Sequence, residues 1–203
     1  MRLRARSLAA TLLLALLVAG AALMFVERKP APPPQGMRAG AFDPPHAAPD
    51  LSLRGSDGSE VTLARYRGKV VLLTFGFTYC AAVCPTTLAT LTQARRGLGA
   101  DADAVQVIFV TVDPERDDAA QMKQYLAAFD RSFIGATGTP EMLAKARAAY
   151  GVAATKEGAG PDYAMAHTSS IFLIDRAGKL RAMMPFGHEA SDFVHDVNLL
   201  LAE

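Results

Sequence analysis

Cys80 and Cys84 are the only cysteines in the chain, and their spacing is the clearest sign of chemistry. Three residues separate them in the stretch TFGFTYCAAVCPTTL, and Pro85 follows the second cysteine. This spacing permits a redox disulfide, and it also lets two soft thiolate sulfurs converge on one metal ion such as Cu(I) or Zn(II). An iron–sulfur cluster is disfavoured because it requires more cysteines. A purely structural disulfide closing so short a loop would add little stability, so a redox pair or a metal site is the expected role.

A third metal ligand would have to come from one of the four histidines. His167, in DYAMAHTSSIFLID, directly precedes an expected strand and could reach the cysteines if its loop folds back. Taken alone, a loop histidine is more often a solvated residue than a ligand. We expect His188 and His195, before and on the last helix, to be surface residues, and His46 to be a solvated linker residue.

The elements around the cysteines predict a crossover unit that would position them. The runs KVVLLTFGF (residues 69–77) and AVQVIFVTVD (104–113) are continuously apolar, which is typical of buried strands. Pro85 can open a helix between them, and the resulting strand–helix–strand unit requires parallel strands. Cys80 then lies just past the carboxyl end of the first strand, and Cys84 lies at the helix N-terminus, where the helix dipole stabilises a thiolate.

The rest of the domain predicts an α/β fold with a central mixed sheet flanked by helices. A small hairpin is expected before the first central strand, and Asp117 and Asp118 are expected to cap a second helix. Thr139 followed by proline predicts the start of a third helix. The stretch SSIFLIDRAGKLRAMMPF predicts two antiparallel strands joined by a short turn, and a final helix follows.

The N-terminal segment predicts a membrane anchor. Three early arginines precede an uncharged run from Leu8 to Val26, which as a helix would span roughly 28 Å, close to the bilayer core. Residues 1–27 are therefore expected to be an uncleaved transmembrane anchor, with a cleaved signal peptide as the alternative. The positive N-terminus predicts that the rest of the chain lies outside the cytoplasm.

After the anchor, residues 28–49 are expected to form a Pro/Ala-rich extended linker, and residues 50–203 one domain. Lysine and arginine total 21 against 20 acidic residues, with no basic patch, so a nucleic-acid partner is not expected.

Three stretches, FGFTYCAAVCPTTL, TVDPERD and DYAMAHTSSIFLID, occur in this order behind the expected anchor. Together they resemble the Sco/SenC family of copper-binding assembly proteins for cytochrome c oxidase, over residues 45–203. The resemblance implies a thioredoxin-like fold and copper ligation by Cys80, Cys84 and His167, with Asp113 next to the site but outside the ligand set. The chain has Ala166 where family members often carry an acidic residue directly before the histidine.

The resemblance also implies a function. The protein would be a chaperone, tethered to the inner membrane with its domain in the periplasm, that delivers Cu(I) or Cu(II) to the binuclear copper centre of cytochrome c oxidase. Its expected partners are the copper-bearing oxidase subunit, a thiol reductant and another periplasmic copper carrier. A disulfide between Cys80 and Cys84 would remove two ligands together and so act as an off-switch.

Two enzymatic alternatives remain at this point. The first is a thiol-disulfide oxidoreductase that reduces the cysteines of the oxidase copper site, with Cys80 and Cys84 as its redox pair. Ser169 stands where thioredoxin-like reductases place a substrate-binding cis-proline, which argues against a general reductase. The second is a peroxidase, disfavoured because Ala81 and Phe77 occupy the positions where peroxiredoxins need threonine and proline.

Overall fold

The computed structural model describes residues 36–203 of the chain. The expected anchor over residues 1–27 and the first part of the expected linker lie outside this range. Within residues 36–203, no helix has the length and apolarity needed to cross a bilayer.

Ten strands within residues 36–203 form two sheets. They are β1 (Gly40–Ala47), β2 (Leu53–Gly55), β3 (Glu60–Val61), β4 (Val70–Gly76), β5 (Val105–Thr111), β6 (Ile134–Thr137), β7 (Ala154–Glu157), β8 (Ala164–His167), β9 (Ser170–Ile174) and β10 (Lys179–Pro185). Eight of them make one mixed sheet in the order β1-β10-β9-β4-β5-β6-β2-β3, and β7 pairs with β8 in a separate hairpin. The central strands β4, β5 and β6 run parallel, and the other neighbours are antiparallel.

The two continuous apolar runs form the centre of the sheet, as predicted. Every residue of β4 and β5 is buried, and the two strands pair from Val70 opposite Val105 to Gly76 opposite Thr111. Strands covered on both faces must be apolar on both faces, which explains why neither run alternates. Their carboxyl ends meet at one edge of the sheet, and the cysteines follow there.

In the part of the chain that the structure describes, four α-helices flank the sheet. They are α1 (Val83–Gly97), α2 (Ala119–Ala127), α3 (Pro140–Ala149) and α4 (Ala190–Leu201). The Thr139 side chain caps α3 by accepting a hydrogen bond from the Met142 N–H, with Pro140 in the first turn, as the sequence predicts. Helix α1 begins at Val83, two residues before the proline expected to open it.

Helices cover both faces of the sheet. On one face, α1 packs against α4, and Phe109 of β5 contacts Tyr125 of α2 at 6.2 Å between ring centroids. On the other face, Tyr150 at the end of α3 packs against Phe75 and Phe172, with centroids 5.8 and 5.0 Å away. The fold class predicted from sequence, a mixed sheet flanked by helices, is therefore confirmed.

The linker prediction is wrong for residues 40–47. This segment is the edge strand β1, which pairs antiparallel with β10, and His46 is an exposed residue within it. Its prolines are tolerated because they lie at the register shift between Ala41 and His46 on a sheet edge, where no ladder hydrogen bond is lost. The carboxylate of Asp196, fully buried in α4, accepts hydrogen bonds from the N–H groups of residues 38 and 39 and fixes the entry to this strand.

Candidate metal centre

The Cys80 sulfur lies at the N-terminus of α1 and caps the helix by accepting a backbone hydrogen bond. The N-cap residue, Ala82, has no side-chain acceptor, and the Cys84 N–H donates instead to Cys80 Sγ at 3.4 Å. Burial acts to raise the pKa of Cys80, but the N–H groups of Cys84, Ala82 and Val83 outweigh it and lower that pKa below its ordinary value. Cys80 is partly exposed, so an accessible thiol that ionises readily faces the solvent.

Cys84 has the opposite environment. Its side chain is 3% exposed, and burial raises its pKa, with the negative charges of Cys80 and Asp117 acting in the same direction. The sulfur fits only because Gly76 has no side chain, since a Cβ there would lie 2.9 Å from Cys84 Sγ and 2.6 Å from the Phe109 ring. The two thiols are thus chemically unequal: Cys80 is partly exposed and has a lowered pKa, and Cys84 is enclosed and has a raised pKa.

His167 ends strand β8, and the β7–β8 hairpin folds it back onto the cysteines. Its Nδ1 lies 3.0 Å from the Thr168 carbonyl oxygen, which can only accept, so Nδ1 carries the proton. The unprotonated Nε2 lies 3.6 Å from Cys84 Sγ. Burial lowers the pKa of His167, partly offset by its hydrogen bond to Thr168, so the ring is neutral at neutral pH. The Phe77 ring lies edge-on to the imidazole, with centroids 5.9 Å apart.

Two contacts therefore link the three candidate ligands. The Cys84 N–H donates to Cys80 Sγ, and Cys84 Sγ lies next to His167 Nε2. Among residues 36–203, no three histidine, cysteine or acidic side chains are gathered closely enough to count as a preformed metal cluster. The protonated Cys84 thiol is placed to donate to Nε2 of the imidazole. A metal ion would have to displace that proton and draw the three groups together.

The space between Cys84 and His167 suits an ion rather than an organic molecule. The cavity there has a volume of about 10 Å³ and is also lined by Thr74, Phe109 and Ser169. This is about the room that one water molecule needs. A far larger cavity of about 710 Å³ lies at the opposite end of the sheet around Arg181, but no cysteine or histidine lines it.

The other two candidate histidines bond to α4 rather than to the cysteines. His188 is partly buried, with Nδ1 3.1 Å from the Asp192 carboxylate. The surface prediction for His195 is wrong, because its side chain is only 13% exposed and its Nδ1 lies 2.9 Å from Asp196. The buried carboxylate of Asp196 holds this imidazole against the helix.

Asp117 has a different role from the helix cap that the sequence predicts. It is fully buried and accepts hydrogen bonds from the Thr78 N–H at 3.0 Å, the Thr78 hydroxyl at 2.6 Å and the Thr111 hydroxyl at 2.7 Å. These bonds tie the segment before Cys80 to the end of β5. The helix cap is Asp118 alone, which accepts from the Gln121 N–H at 2.8 Å.

Asp113, which the family resemblance places beside the site, has a carboxylate that bonds to residues other than the three candidate ligands. Its carboxylate accepts from Arg116 Nε at 2.6 Å and from the Tyr163 hydroxyl at 2.5 Å. Burial, followed by the hydrogen bond to Asp113, raises the pKa of Tyr163 to about 12, so the phenol keeps its proton. The spacing of residues in the sequence indicates no role for Arg116 or Tyr163, although each stands in one of the stretches that carry the family resemblance.

Comparison with known proteins gives a family match over most of the chain. The SCO1/SenC family model matches residues 41–202. The mitochondrial SCO2 homolog of Mus musculus is 40% identical over 133 residues, which cover 64% of this chain and 52% of that protein. The match thus spans about half the length of this curated relative.

Two solved structures share the fold. ScoI of Bradyrhizobium japonicum with copper bound gives a TM-score of 0.71 at 37% identity, covering 76% of this chain and 99% of that one. BsSco, described as a member of the Sco family of cytochrome c oxidase assembly proteins with a disulfide switch, gives 0.63 at 26% identity, covering 78% and 96%. The chain has a thioredoxin-like fold and belongs to the SCO1/SenC family.

Proposed function

We propose that the protein binds one copper ion through Cys80, Cys84 and His167 and delivers it to the binuclear copper centre of cytochrome c oxidase. The observation that carries this proposal is the 3.6 Å approach of the unprotonated His167 Nε2 to the enclosed Cys84 sulfur, beside the Cys80 thiol. Two thiolates favour Cu(I), and an imidazole added to them also suits Cu(II). The copper-bound relative ScoI and the oxidase-assembly relative BsSco support both halves of the proposal.

The two thiols differ in exposure and in pKa, and this difference sets the order in which the ligands would bind copper. Cys80 is accessible and its lowered pKa favours the thiolate, so it meets an arriving ion first. Cys84 must then lose its proton, whose release becomes favourable only when the sulfur gains the positive metal as its partner. His167 is already neutral and oriented by Thr168, so it needs no deprotonation to join.

The cysteine pair also gives the copper site a redox switch. Forming the Cys80–Cys84 disulfide transfers two electrons from the pair to an external two-electron oxidant, such as another disulfide, releases two protons and leaves neither sulfur as a thiolate ligand. An external thiol reductant must return the two electrons before copper can be loaded again.

A thiol-disulfide reductase acting on the oxidase cysteines is the second candidate, and the same inequality favours it. Cys80, partly exposed and with a lowered pKa, suits the attacking thiolate, and the enclosed Cys84 suits the resolving thiol. Cys80 would attack a target disulfide and release one target thiolate. Cys84 would then attack the mixed disulfide and release the second, so the target gains the two electrons that this pair loses.

His167→Ala separates the two functions, because a reductase needs no distal imidazole and a copper carrier does. We expect this variant to keep a reversible Cys80–Cys84 disulfide but to fail to support oxidase activity at limiting copper when it is the only copy in the cell. Its sulfur-to-Cu(II) charge-transfer band should also change. Full oxidase activity at limiting copper, together with lost activity in Cys84→Ser, would rule out copper delivery and leave the reductase.

The cellular setting is part of the proposal. A single-pass anchor over residues 1–27 would hold the domain on the periplasmic side of the inner membrane, near the copper-bearing oxidase subunit. A thiol reductant and another periplasmic copper carrier would be its other partners. The early arginines and the uncharged run that follows support this placement.

A further inference from the structure

The Arg116 guanidinium touches both segments that carry candidate copper ligands. Its central carbon lies 3.6 Å from the ring centroid of Tyr163, which directly precedes strand β8 and His167. The same carbon lies 4.9 Å from the ring centroid of Tyr79, the residue before Cys80. One cation is therefore stacked between the cysteine loop and the histidine hairpin.

Hydrogen bonds fix this cation in place. Arg116 donates through Nε to Asp113 at 2.6 Å and through Nη1 to the Tyr163 carbonyl at 3.0 Å. The Tyr163 hydroxyl donates to the other Asp113 oxygen, which closes a hydrogen-bonded ring of three residues through the Tyr163 backbone carbonyl. Asp113 and Tyr163 are both buried, so these bonds are shielded from solvent.

The β7–β8 hairpin depends on such contacts because it lies outside the eight-stranded sheet. An isolated two-stranded hairpin is at best marginally stable in water. Besides the Arg116 contacts, the hairpin is joined to the segment after β5 by the ion pair of Lys156 and Glu115, whose side chains are 42% and 67% exposed. An exposed pair of this kind contributes little, so the attachment rests on buried contacts, those of Arg116 together with the hydrogen bond from Tyr163 to Asp113.

We infer that Arg116 is a positioning residue that holds His167 beside the cysteines, and so decides whether copper has three ligands or two sulfurs alone. This inference rests on the proposed function. Arginine suits the task because its planar guanidinium can stack on aromatic rings and donate in several directions at once. Lysine keeps the charge but cannot make the same set of bonds.

The test compares Arg116→Gln with the parent protein as full, reduced chains titrated with Cu(II) and, separately, with Cu(I) against a competing chelator. We expect Arg116→Gln to lower Cu(II) affinity about 10- to 100-fold, the usual effect of losing a residue that orients a ligand. Nitrogen coupling in the electron paramagnetic resonance spectrum of bound Cu(II) should weaken toward that of His167→Ala. Cu(I) affinity should fall less, because both sulfurs remain.

Two further variants separate positioning from general damage. Arg116→Lys should be intermediate between Arg116→Gln and the parent. Lys156→Gln is the comparison variant, since it removes the exposed ion pair with Glu115 and the ammonium that lies 3.8 Å from the Tyr163 ring centroid, yet it leaves every Arg116 hydrogen bond in place. Its copper spectrum should therefore change far less than that of Arg116→Gln. If Arg116→Gln fails to fold, Tyr163→Phe removes only the hydroxyl bond to Asp113 and should shift the spectrum in the same direction by less.

Hydrogen exchange without copper gives an independent measurement. In Arg116→Gln, the amides of β7 and β8 should exchange faster than in the parent, while those of β4 and β5 keep their rates. Unchanged hairpin exchange and an unchanged copper spectrum in Arg116→Gln, with a changed spectrum in His167→Ala, would overturn the positioning role and leave the proposed function standing. A parent protein that binds no copper would overturn the proposed function, and faster hairpin exchange would still support the attachment.

Discussion

The cysteine loop and the histidine hairpin bring candidate ligands to one site, but they are held in place by different means. Cys80 and Cys84 follow a strand that is buried on both faces, and they start a helix packed on the sheet. His167 ends a two-stranded sheet of its own, attached largely through side chains. The two sulfurs thus belong to the core of the fold, and the imidazole belongs to an appended element.

Because of this difference, we expect substitutions near the cysteines and substitutions in the histidine hairpin to have different effects. The segment before Cys80 is fixed by the buried Asp117, so its position is as stable as the domain itself. The hairpin can open locally at a lower free energy than global unfolding, as elements with few buried contacts do. We therefore expect changes near the cysteines to affect both stability and copper binding, and changes in the hairpin to affect copper binding alone.

The largest expected effect comes from Cys84→Ser. A hydroxyl is a hard, weakly acidic donor and cannot replace a thiolate toward Cu(I), so tight copper binding should be abolished. The serine is close in size and can still donate to His167 Nε2, so the folded structure should persist. Copper stoichiometry after dialysis and circular dichroism measure the two effects. A folded variant that retains the parent's copper content would remove Cys84 from the ligand set.

Gly76→Ala should have the next largest effect, and it tests the link between core packing and the sulfur. The added methyl would lie closer to Cys84 Sγ and the Phe109 ring than atoms tolerate, so strand or helix must shift. We expect a loss of about 1–3 kcal/mol in unfolding free energy, typical of an overpacked core, together with weaker copper binding.

Gly40→Ala is the matched control for that change. Gly40 lies on the edge strand β1, where the nearest atom to an added Cβ is 3.5 Å away. Denaturant unfolding and copper titration should both match the parent. If Gly76→Ala also has the parent's unfolding free energy and copper affinity, the position of the cysteines does not depend on core packing.

The same contrast explains which parts of the structure the sequence predicts. Strands β4 and β5 were predictable because continuous apolar runs have few alternatives to a buried strand, and the cysteines follow from their ends. The β7–β8 hairpin was not, since ATKEGAGPDYAMAH is polar and lacks the alternation of a half-buried strand. Its fold depends on Arg116 and Asp113, whose partner Tyr163 lies more than 40 residues further along the chain.

Edge strand β1 and Asp117 were mispredicted for a related reason. Prolines and alanines in residues 40–47 indicate a tether, and only the tertiary bonds from Asp196 show that the segment joins the sheet. Asp117 has the sequence position of a helix cap, yet the buried threonines at positions 78 and 111 draw it inward. In both cases a long-range partner, invisible in local spacing, decides the outcome.

The smallest expected effect is that of His188→Gln, which tests whether the site ends at the hairpin histidine. His188 lies in the connection between β10 and α4, and its Nδ1 is committed to Asp192 in a partly exposed pair with side chains 32% and 23% exposed. Such pairs contribute about 0–1 kcal/mol, so unfolding free energy should change by no more than this. Copper affinity and the charge-transfer spectrum should equal those of the parent, in contrast to His167→Ala. A lowered copper affinity would mean that the connection to α4 also supplies a ligand. The ligand set would then be larger than two sulfurs from the core and one imidazole from the hairpin.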